Sequence, residues 1–303
     1  MSKQRLVEER LPALFAMMSA CRLCPRRCGV NRLQGQTGFC RTANQIKVAS
    51  WAHHHGEEPP ISGTNGSGTI FSSGCTLGCL FCQNFPFSQL DNGRIFTAAE
   101  LGEIFTRLAA EGVHNLNFVT PTHVLPMLLD AWLHSSETAR RLPLVYNCSG
   151  YESPELLELL AGIIDIYLPD IKYADNAIAA RLSQVGDYVE HNRTTLKAMF
   201  NQVGQLQINS ATDLATRGMI VRHLILPENL AGSADSLRWL RSELGPDIHL
   251  SIMCQYFPAH QAHQHPTLKR PITEGEYLPV LELVEELGFN NVWAQDPTER
   301  GGA

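Results

Sequence analysis

The chain has no apolar run approaching membrane-spanning length, which takes about 20 residues. Its N-terminus also lacks the charged, apolar and small-residue order of an export signal, since Met1 to Arg10 is polar and the apolar stretch Leu11 to Met18 is short. Neither a membrane partner nor secretion is expected. Basic charge is scarce as well: 24 Lys and Arg stand against 30 Asp and Glu, a formal net charge of -6. Without a global positive field a polyanion finds little to hold it, which excludes nucleic acid as the main partner. No internal repeat, low-complexity tract or heptad array stands out.

What is present suits a globular α/β protein. The 303 residues, 44% hydrophobic and 18% charged, can bury one barrel-sized core or two smaller ones. From Thr69 onward, short apolar runs alternate with amphipathic helical patterns, the signature of βα units. Counting Thr69-Ile70-Phe71 first, the others are Asn117–Val119, Leu144–Tyr146, Ile163–Leu168, Ile220–Ile225 and His249–Met253, six repeats against the eight of a closed TIM barrel. Thr97 and Glu100 predict a capping box ahead of Leu101, Ile104, Phe105 and Leu108. Ser153-Pro154 opens another helix, and Thr273 with Glu276 a third, whose inward face is expected at Leu278, Leu281, Val284 and Leu287 before Gly288. The polar stretch Asp175 to Gln207 is read as helical.

Nine cysteines, seven of them in two tight groups, fit a reducing compartment, so the cytoplasm is the expected location. The first group, Cys21, Cys24, Cys28 and Cys40, is spaced C-x2-C-x3-C-x11-C and offers four ligands for a zinc site or an iron-sulfur cluster. It lies in residues 1–60, read as a small N-terminal cysteine-rich module ahead of a core spanning 61–303. Arg22, Arg26 and Arg27 interleave with these cysteines and suit a thiolate-bound metal, an acidic partner or plain solvation. In the tract His53-His54-His55 only alternate residues of an extended segment share a face, so a turn of hydrogen-bonded histidines is expected there before a metal site.

The second group is the most informative stretch of the chain: Cys75, Cys79 and Cys82, spaced C-x3-C-x2-C directly after an apolar strand. A protein-held [4Fe-4S] cube takes four cysteines, so a three-cysteine loop leaves one iron open to another ligand. A structural zinc site, the alternative, normally closes with four.

This loop, with Phe81 before its third cysteine, resembles the signature of radical S-adenosylmethionine (SAM) enzymes. Gln83-Asn84, Glu57-Glu58-Pro59-Pro60, Thr120-Pro121-Thr122-His123 and Asp170-Ile171-Lys172-Tyr173 make it similar to the branch related to pyruvate formate-lyase activating enzyme. The resemblance covers nearly the whole chain and implies a partial (β/α)6 TIM-like barrel. It implies a [4Fe-4S] cluster on Cys75, Cys79 and Cys82, with the amino and carboxylate groups of SAM on the fourth iron. One-electron reduction, from flavodoxin or ferredoxin, then cleaves the sulfonium to methionine and a 5′-deoxyadenosyl radical, and the protein supplies binding, orientation and exclusion of water.

Working residues of such barrels lie after the strands. Thr120 and Thr122 occupy the place where many relatives carry Gly-Gly-Glu to hold the SAM amino group, so their hydroxyl or carbonyl oxygens are the expected substitutes, with His123 as a further candidate. Asn147 and Ser149 are expected at the ribose or methionine part, with Gly150 allowing backbone close to a ligand and Cys148 buried. Asp170 and Lys172 resemble the pair that binds the zwitterionic methionyl end; the alternative is a surface ion pair worth about 0–1 kcal/mol. Arg222, in an otherwise apolar strand, needs an anion, and the resemblance implies the SAM carboxylate, with His223 facing the other way. Gln255 or Tyr256 is a candidate for the adenine or substrate side. The leading function is hydrogen abstraction from a substrate, with activation of a glycyl-radical enzyme the family's best-known case. The alternatives are radical modification of a small molecule or peptide, and a non-catalytic iron-sulfur or zinc protein.

Overall fold

The computed structural model describes residues 1–295; the last residues of the expected 61–303 core lie outside them. The strands are β1 (Ile46–His54), β2 (Ser67–Ser72), β3 (Arg94–Phe96), β4 (Leu116–Val119), β5 (Leu144–Cys148), β6 (Ile166–Pro169), β7 (Gln207–Asn209), β8 (Leu214–Leu224), β9 (His249–Met253) and β10 (Asn291–Ala294). They form one sheet in the order β10-β9-β8-β6-β5-β4-β2-β1-β3, with β7 off the path on β8. From β2 to β10 every neighbour is parallel, while β1 is antiparallel to both β2 and β3. The sheet runs edge to edge without closing, an α/β partial barrel.

All six expected strands are present. A seventh parallel strand, β10, corrects the count: its Asn291-Val292-Trp293-Ala294 is short, begins polar and sits at the sheet edge beside β9, so it carries no buried-strand pattern. The helix Ala98–Ala110 has the expected capping box, Glu100 accepting from the Thr97 N–H at 2.8 Å, and buries Leu101, Ile104, Phe105 and Leu108. The Asp175–Gln207 stretch holds two helices, Asn176–Ser183 and Tyr188–Val203. The helix Glu274–Glu286 is capped by Thr273 and Glu276 as expected, and of its expected inward face Val284 is buried and Leu281 and Leu287 pack against the core, but Tyr277 is buried in place of Leu278, which is 49% exposed. Tyr277, its bulkiest apolar side chain, takes the core position and donates to the Gln295 carbonyl at 2.7 Å.

Residues 1–60 share the barrel's core. The helix Lys3–Ala16 packs on the helices Leu125–Leu133 and Pro154–Leu160, and its Val7 and Leu14 are buried in the same cluster as Phe105, Phe118 and Tyr146. β1 lies along β2 from Val48↔Ser72 to His54↔Ser67. Of the three consecutive histidines, His53 meets Glu111 at 2.8 Å and His54 sits edge-on to Phe71. Among the described residues no helix is long and apolar enough to cross a membrane.

Inside the barrel, Ile61, Val145, Ile166, Leu168 and Ile220 form a small second apolar cluster. Arg222, two residues along β8 from Ile220, points the same way by strand alternation. Its expected anion was the SAM carboxylate. Here its partners are protein groups: Nε and Nη2 donate to the two oxygens of Glu58 at 2.8 and 2.7 Å, and Nη2 also reaches Glu57. The turn between β1 and β2 delivers both glutamates, and Asn117 donates to Glu57 at 2.7 Å. His223 faces the other way, between the Ile171 carbonyl at 2.7 Å and Ser233 at 2.8 Å.

Removing one partner of a buried ion pair leaves an uncompensated charge, at a cost of about 3–5 kcal/mol. Arg222→Ala is therefore expected to lower the urea midpoint of the metal-free protein by that equivalent, and Lys197→Ala, which removes an exposed pair with Glu243, by less than about 1 kcal/mol.

Candidate active site at the carboxyl ends of the strands

The three-cysteine loop leaves β2 through Gly74, whose φ of +85° favours glycine and whose added Cβ would stand 2.6 Å from the Cys40 carbonyl. Each thiol then meets a hydrogen-bonding group. Cys75 Sγ accepts from the Leu77 N–H at 3.3 Å, Cys79 Sγ from the Ser183 hydroxyl at 2.9 Å, and Cys82 Sγ pairs with the Ser88 hydroxyl at 3.1 Å. Ser183 is itself bonded to the Tyr173 hydroxyl at 2.6 Å. Burial pushes all three thiols up, Cys79 to about 11 with Lys172 opposing the rise, so in the absence of metal they are protonated. Metal binding would displace those protons.

The strand ends around this loop carry the other expected residues. Lys172 Nζ lies 2.5 Å from Asp170 Oδ2 after β6. Burial alone would lower the lysine, but Asp170 and the nearby thiols outweigh it and hold it above its ordinary value. Thr120, after β4, has φ +54°, the left-handed region that a β-branched residue rarely enters and that glycine would enter freely. Its N–H donates to the Asn147 carbonyl at 2.8 Å.

Thr122 is buried, and its hydroxyl donates to Glu152 at 2.8 Å instead of standing free at the mouth. Tyr146 donates to the other oxygen of Glu152 at 2.8 Å, and burial raises this carboxyl to about 7. Asn147 reaches toward Glu57 at 3.4 Å. Ser149 is buried and its carbonyl accepts from Tyr188 at 2.8 Å. Gly150 makes its close approach to protein: an added Cβ would lie 2.2 Å from Asn192 Nδ2 and 2.5 Å from the Asp170 carbonyl. Cys148 is buried, as expected.

His123 lies away from these groups, on the Cys40 side. It is buried, its Nε2 is 2.7 Å from the Ser73 carbonyl, and burial depresses it to about 4, so it is neutral. Tyr256 is core, donating to the Leu268 carbonyl at 2.6 Å, whereas Gln255 is exposed and its carbonyl accepts from Gln83 at 3.0 Å. The loop after β9 also stacks His260 on Phe85 and bonds Gln261 N–H to the Leu80 carbonyl at 2.8 Å, covering the cysteine loop from outside.

Sequence reasoning missed Glu57 and Glu58 as the partners of Arg222, Ser183 and Ser88 as donors to sulfur, and Glu152. Only the first left a signal, an arginine in an apolar strand that had to find an anion.

Among the described residues, no three His, Cys, Asp or Glu side chains are converged as a ready cage for one ion. The three thiols of the loop are of the right chemistry for a cube, which spreads its ligands over several irons. Two further observations fit them to it: polar hydrogens on the Cys75 and Cys79 sulfurs, and a lysine charge beside the thiols.

Residues 69–203 match the sequence profile of the radical SAM superfamily. That stretch, just under half of the chain, is similar to a radical SAM domain. Beyond that segment the chain is similar to an uncharacterized protein of Methanocaldococcus jannaschii, 28% identical over 303 aligned residues that cover 96% of this chain and 82% of that one. A second uncharacterized protein of that organism is 27% identical over 169 residues, half of this chain and 49% of the other. Among solved structures, Streptococcus suis SuiB bound to precursor peptide SuiA superposes with a TM-score of 0.50 at 14% identity, over 73% of this chain and 46% of that one. A radical SAM methyltransferase from Sphaerobacter thermophilus gives 0.48 at 14%, over 75% and 65%. The chain thus spans less than two thirds of either solved protein, and the SuiB likeness is one of fold.

Two outcomes follow for this site. Hydrogen bonds to sulfur raise a cluster's potential, so Ser183→Ala is expected to shift the reconstituted cluster to a more negative midpoint in an EPR-monitored titration. A carboxyl raised from about 4.3 in the unfolded chain to about 7 in the fold binds more protons folded than unfolded between those values. Its contribution is present at low pH and lost as pH rises through 7. Melting of metal-free Glu152→Gln between pH 5 and 8 should therefore lack a decline with pH that the parent protein shows.

Proposed function

We propose that the chain is a radical SAM enzyme that abstracts a hydrogen atom from its substrate. Cys75, Cys79 and Cys82 would hold three irons of a [4Fe-4S] cluster, and Asp170 and Lys172 the amino and carboxylate ends of SAM. Thr120, Asn147 and Ser149 would line the rest of the SAM site with backbone and amide groups. Thr122 and Arg222 would support it from behind, since Glu152, Glu57 and Glu58 already occupy their polar atoms. Together the cluster and SAM supply one-electron cleavage of a sulfonium and a radical that takes hydrogen from carbon.

The observation that carries this reading is the coincidence at one end of the strands of three thiols, each hydrogen-bonded at its sulfur, and the Asp170–Lys172 pair. A carboxylate answers the ammonium of a methionyl group and an ammonium answers its carboxylate. The loop after β9 serves to exclude water. Flavodoxin or ferredoxin would be the reductant. The substrate is a backbone glycine of a partner enzyme, as for the activating enzymes that the motifs resemble. Thr120-Pro121-Thr122 in place of Gly-Gly-Glu favours a second reading, modification of a small molecule or peptide.

Anaerobically reconstituted protein given SAM and dithionite is expected to release 5′-deoxyadenosine and methionine, and Cys79→Ala to release neither. Lys172→Met leaves a charge of the ligand unpaired, about 2–5 kcal/mol, so its KM for SAM should rise more than tenfold with the cluster still loaded. A loaded, reducible cluster that never cleaves SAM would overturn the reading in favour of an electron carrier. Addition of a glycyl-radical enzyme separates the two substrate readings, by appearance or not of a glycyl doublet in EPR.

A further inference from the structure

We infer that Cys21, Cys24, Cys28 and Cys40 form a second, all-thiolate metal centre built against the back of the radical SAM loop. The four cysteines, distributed over 20 residues of sequence, line one small void of about 10 Å³ together with Arg32, Thr76 and His123. None of the four is in a disulfide. The loop that carries them is tightly shaped: Cys21 N–H donates to the Val30 carbonyl at 2.9 Å and Gly29 N–H to the Cys21 carbonyl at 3.1 Å. An added Cβ on Gly38 would fall 2.8 Å from Cys28 Sγ, so glycine at that point lets the thiol turn inward.

Two independent observations point to a ligand in that void. The first is charge. Arg32 is fully buried and, among the described residues, has no carboxylate partner; Nε and Nη2 donate to the Ala43 carbonyl at 3.2 and 2.8 Å, and Nη1 faces Cys21 Sγ at 3.9 Å. A buried cation without an anion is costly, and thiolates are the anions at hand. Four thiolates around a dication or a [4Fe-4S] core leave net negative charge, which a guanidinium balances. The second is polar orphans. His123 Nδ1 and Thr76 Oγ1 are buried at the void's wall without a hydrogen-bond partner; the Thr76 hydroxyl is free to donate to ligand sulfur, as outer-shell groups of metal sites do, while neutral His123, whose Nε2–H goes to the Ser73 carbonyl, keeps an unprotonated Nδ1 at that wall.

The thiols line the void without meeting at one point, so loading draws them together. A zinc ion and an iron-sulfur cluster share this chemistry.

The site is joined to the first by covalent neighbours. Thr76, on its wall, follows Cys75, and Arg26 stacks on Phe39 and donates to the Thr76 carbonyl at 2.5 Å. A metal there would clamp the loop that places Cys75.

The test uses the full chain and does not rest on SAM cleavage. Cys75→Ala/Cys79→Ala/Cys82→Ala protein, purified anaerobically, is expected to keep metal, read per chain by mass spectrometry and by sulfur coordination in X-ray absorption. One zinc per chain identifies a single tetrahedral ion; iron with matching sulfide identifies a cluster; either supports the site. Adding Cys24→Ser/Cys40→Ser should remove that metal. Cys28 is the exposed member of the set, so Cys28→Ser guards against loss of folding: with an unchanged circular dichroism spectrum it should release metal to a chelator faster than the parent. Arg32→Met should weaken retention about tenfold. Triple-variant protein that is folded, metal-free after reconstitution with both zinc and iron-sulfide, and rapidly alkylated at all four thiols would overturn the inference.

Discussion

A guanidinium inside a barrel must be answered by carboxylate, and that requirement organises the N-terminal third of this chain. Arg222 is held on two sides by Glu58 and once more by Glu57, both contributed from more than 160 residues upstream. A surface pair of this kind would be worth about 1 kcal/mol or less, whereas a broken buried one costs several. The β1–β2 turn is therefore pinned at the lumen. With its far end pinned, β1 runs back along β2, and its first residues come out beside the last residue of β2, Val48 opposite Ser72. Whatever precedes β1 is delivered to the start of the cysteine loop. That is why two cysteine groups more than 30 residues apart in sequence are packed wall to wall, with the Cys40 carbonyl against Gly74.

Legibility from sequence divides along the same line. Local features could be read because their partners are near in sequence: the Thr97/Glu100 and Thr273/Glu276 caps, the apolar strands and the three-cysteine loop. Features that depend on distant partners could not. β1 carries Trp51 and two histidines, His53 and His54, and gives no sign that it belongs to the barrel sheet. β10 is short and polar at its start. Leu278 satisfies helical spacing as well as Tyr277 does, and only the packing of the neighbouring elements decides between them. In the site, Lys172 and Asp170 were readable because they stand two residues apart, while the anion for Arg222 and the hydroxyl on Cys79 come from 164 and 104 residues away.

The loop after β4 holds a left-handed backbone at a residue that has a Cβ. Thr120 accepts φ +54°, which costs a side chain with a Cβ about 1–2 kcal/mol relative to the right-handed region, and its N–H is tied to the Asn147 carbonyl in return. An acid is present close by, but Glu152 comes from the loop after β5, is buried, and already accepts from both Thr122 and Tyr146. With its carboxyl raised to about 7, it is a partly protonated anchor for Thr122 and a poor counter-charge for an ammonium. In the proposed site the burden of meeting a cationic amino group would then fall on Asp170, whose lysine neighbour already lies within the field of the thiols. A ligand that carries an ammonium and a carboxylate together fits that pair better than one that carries either alone, because each charge it brings meets its opposite while Asp170 and Lys172 exchange one partner for another inside the same cluster of charges.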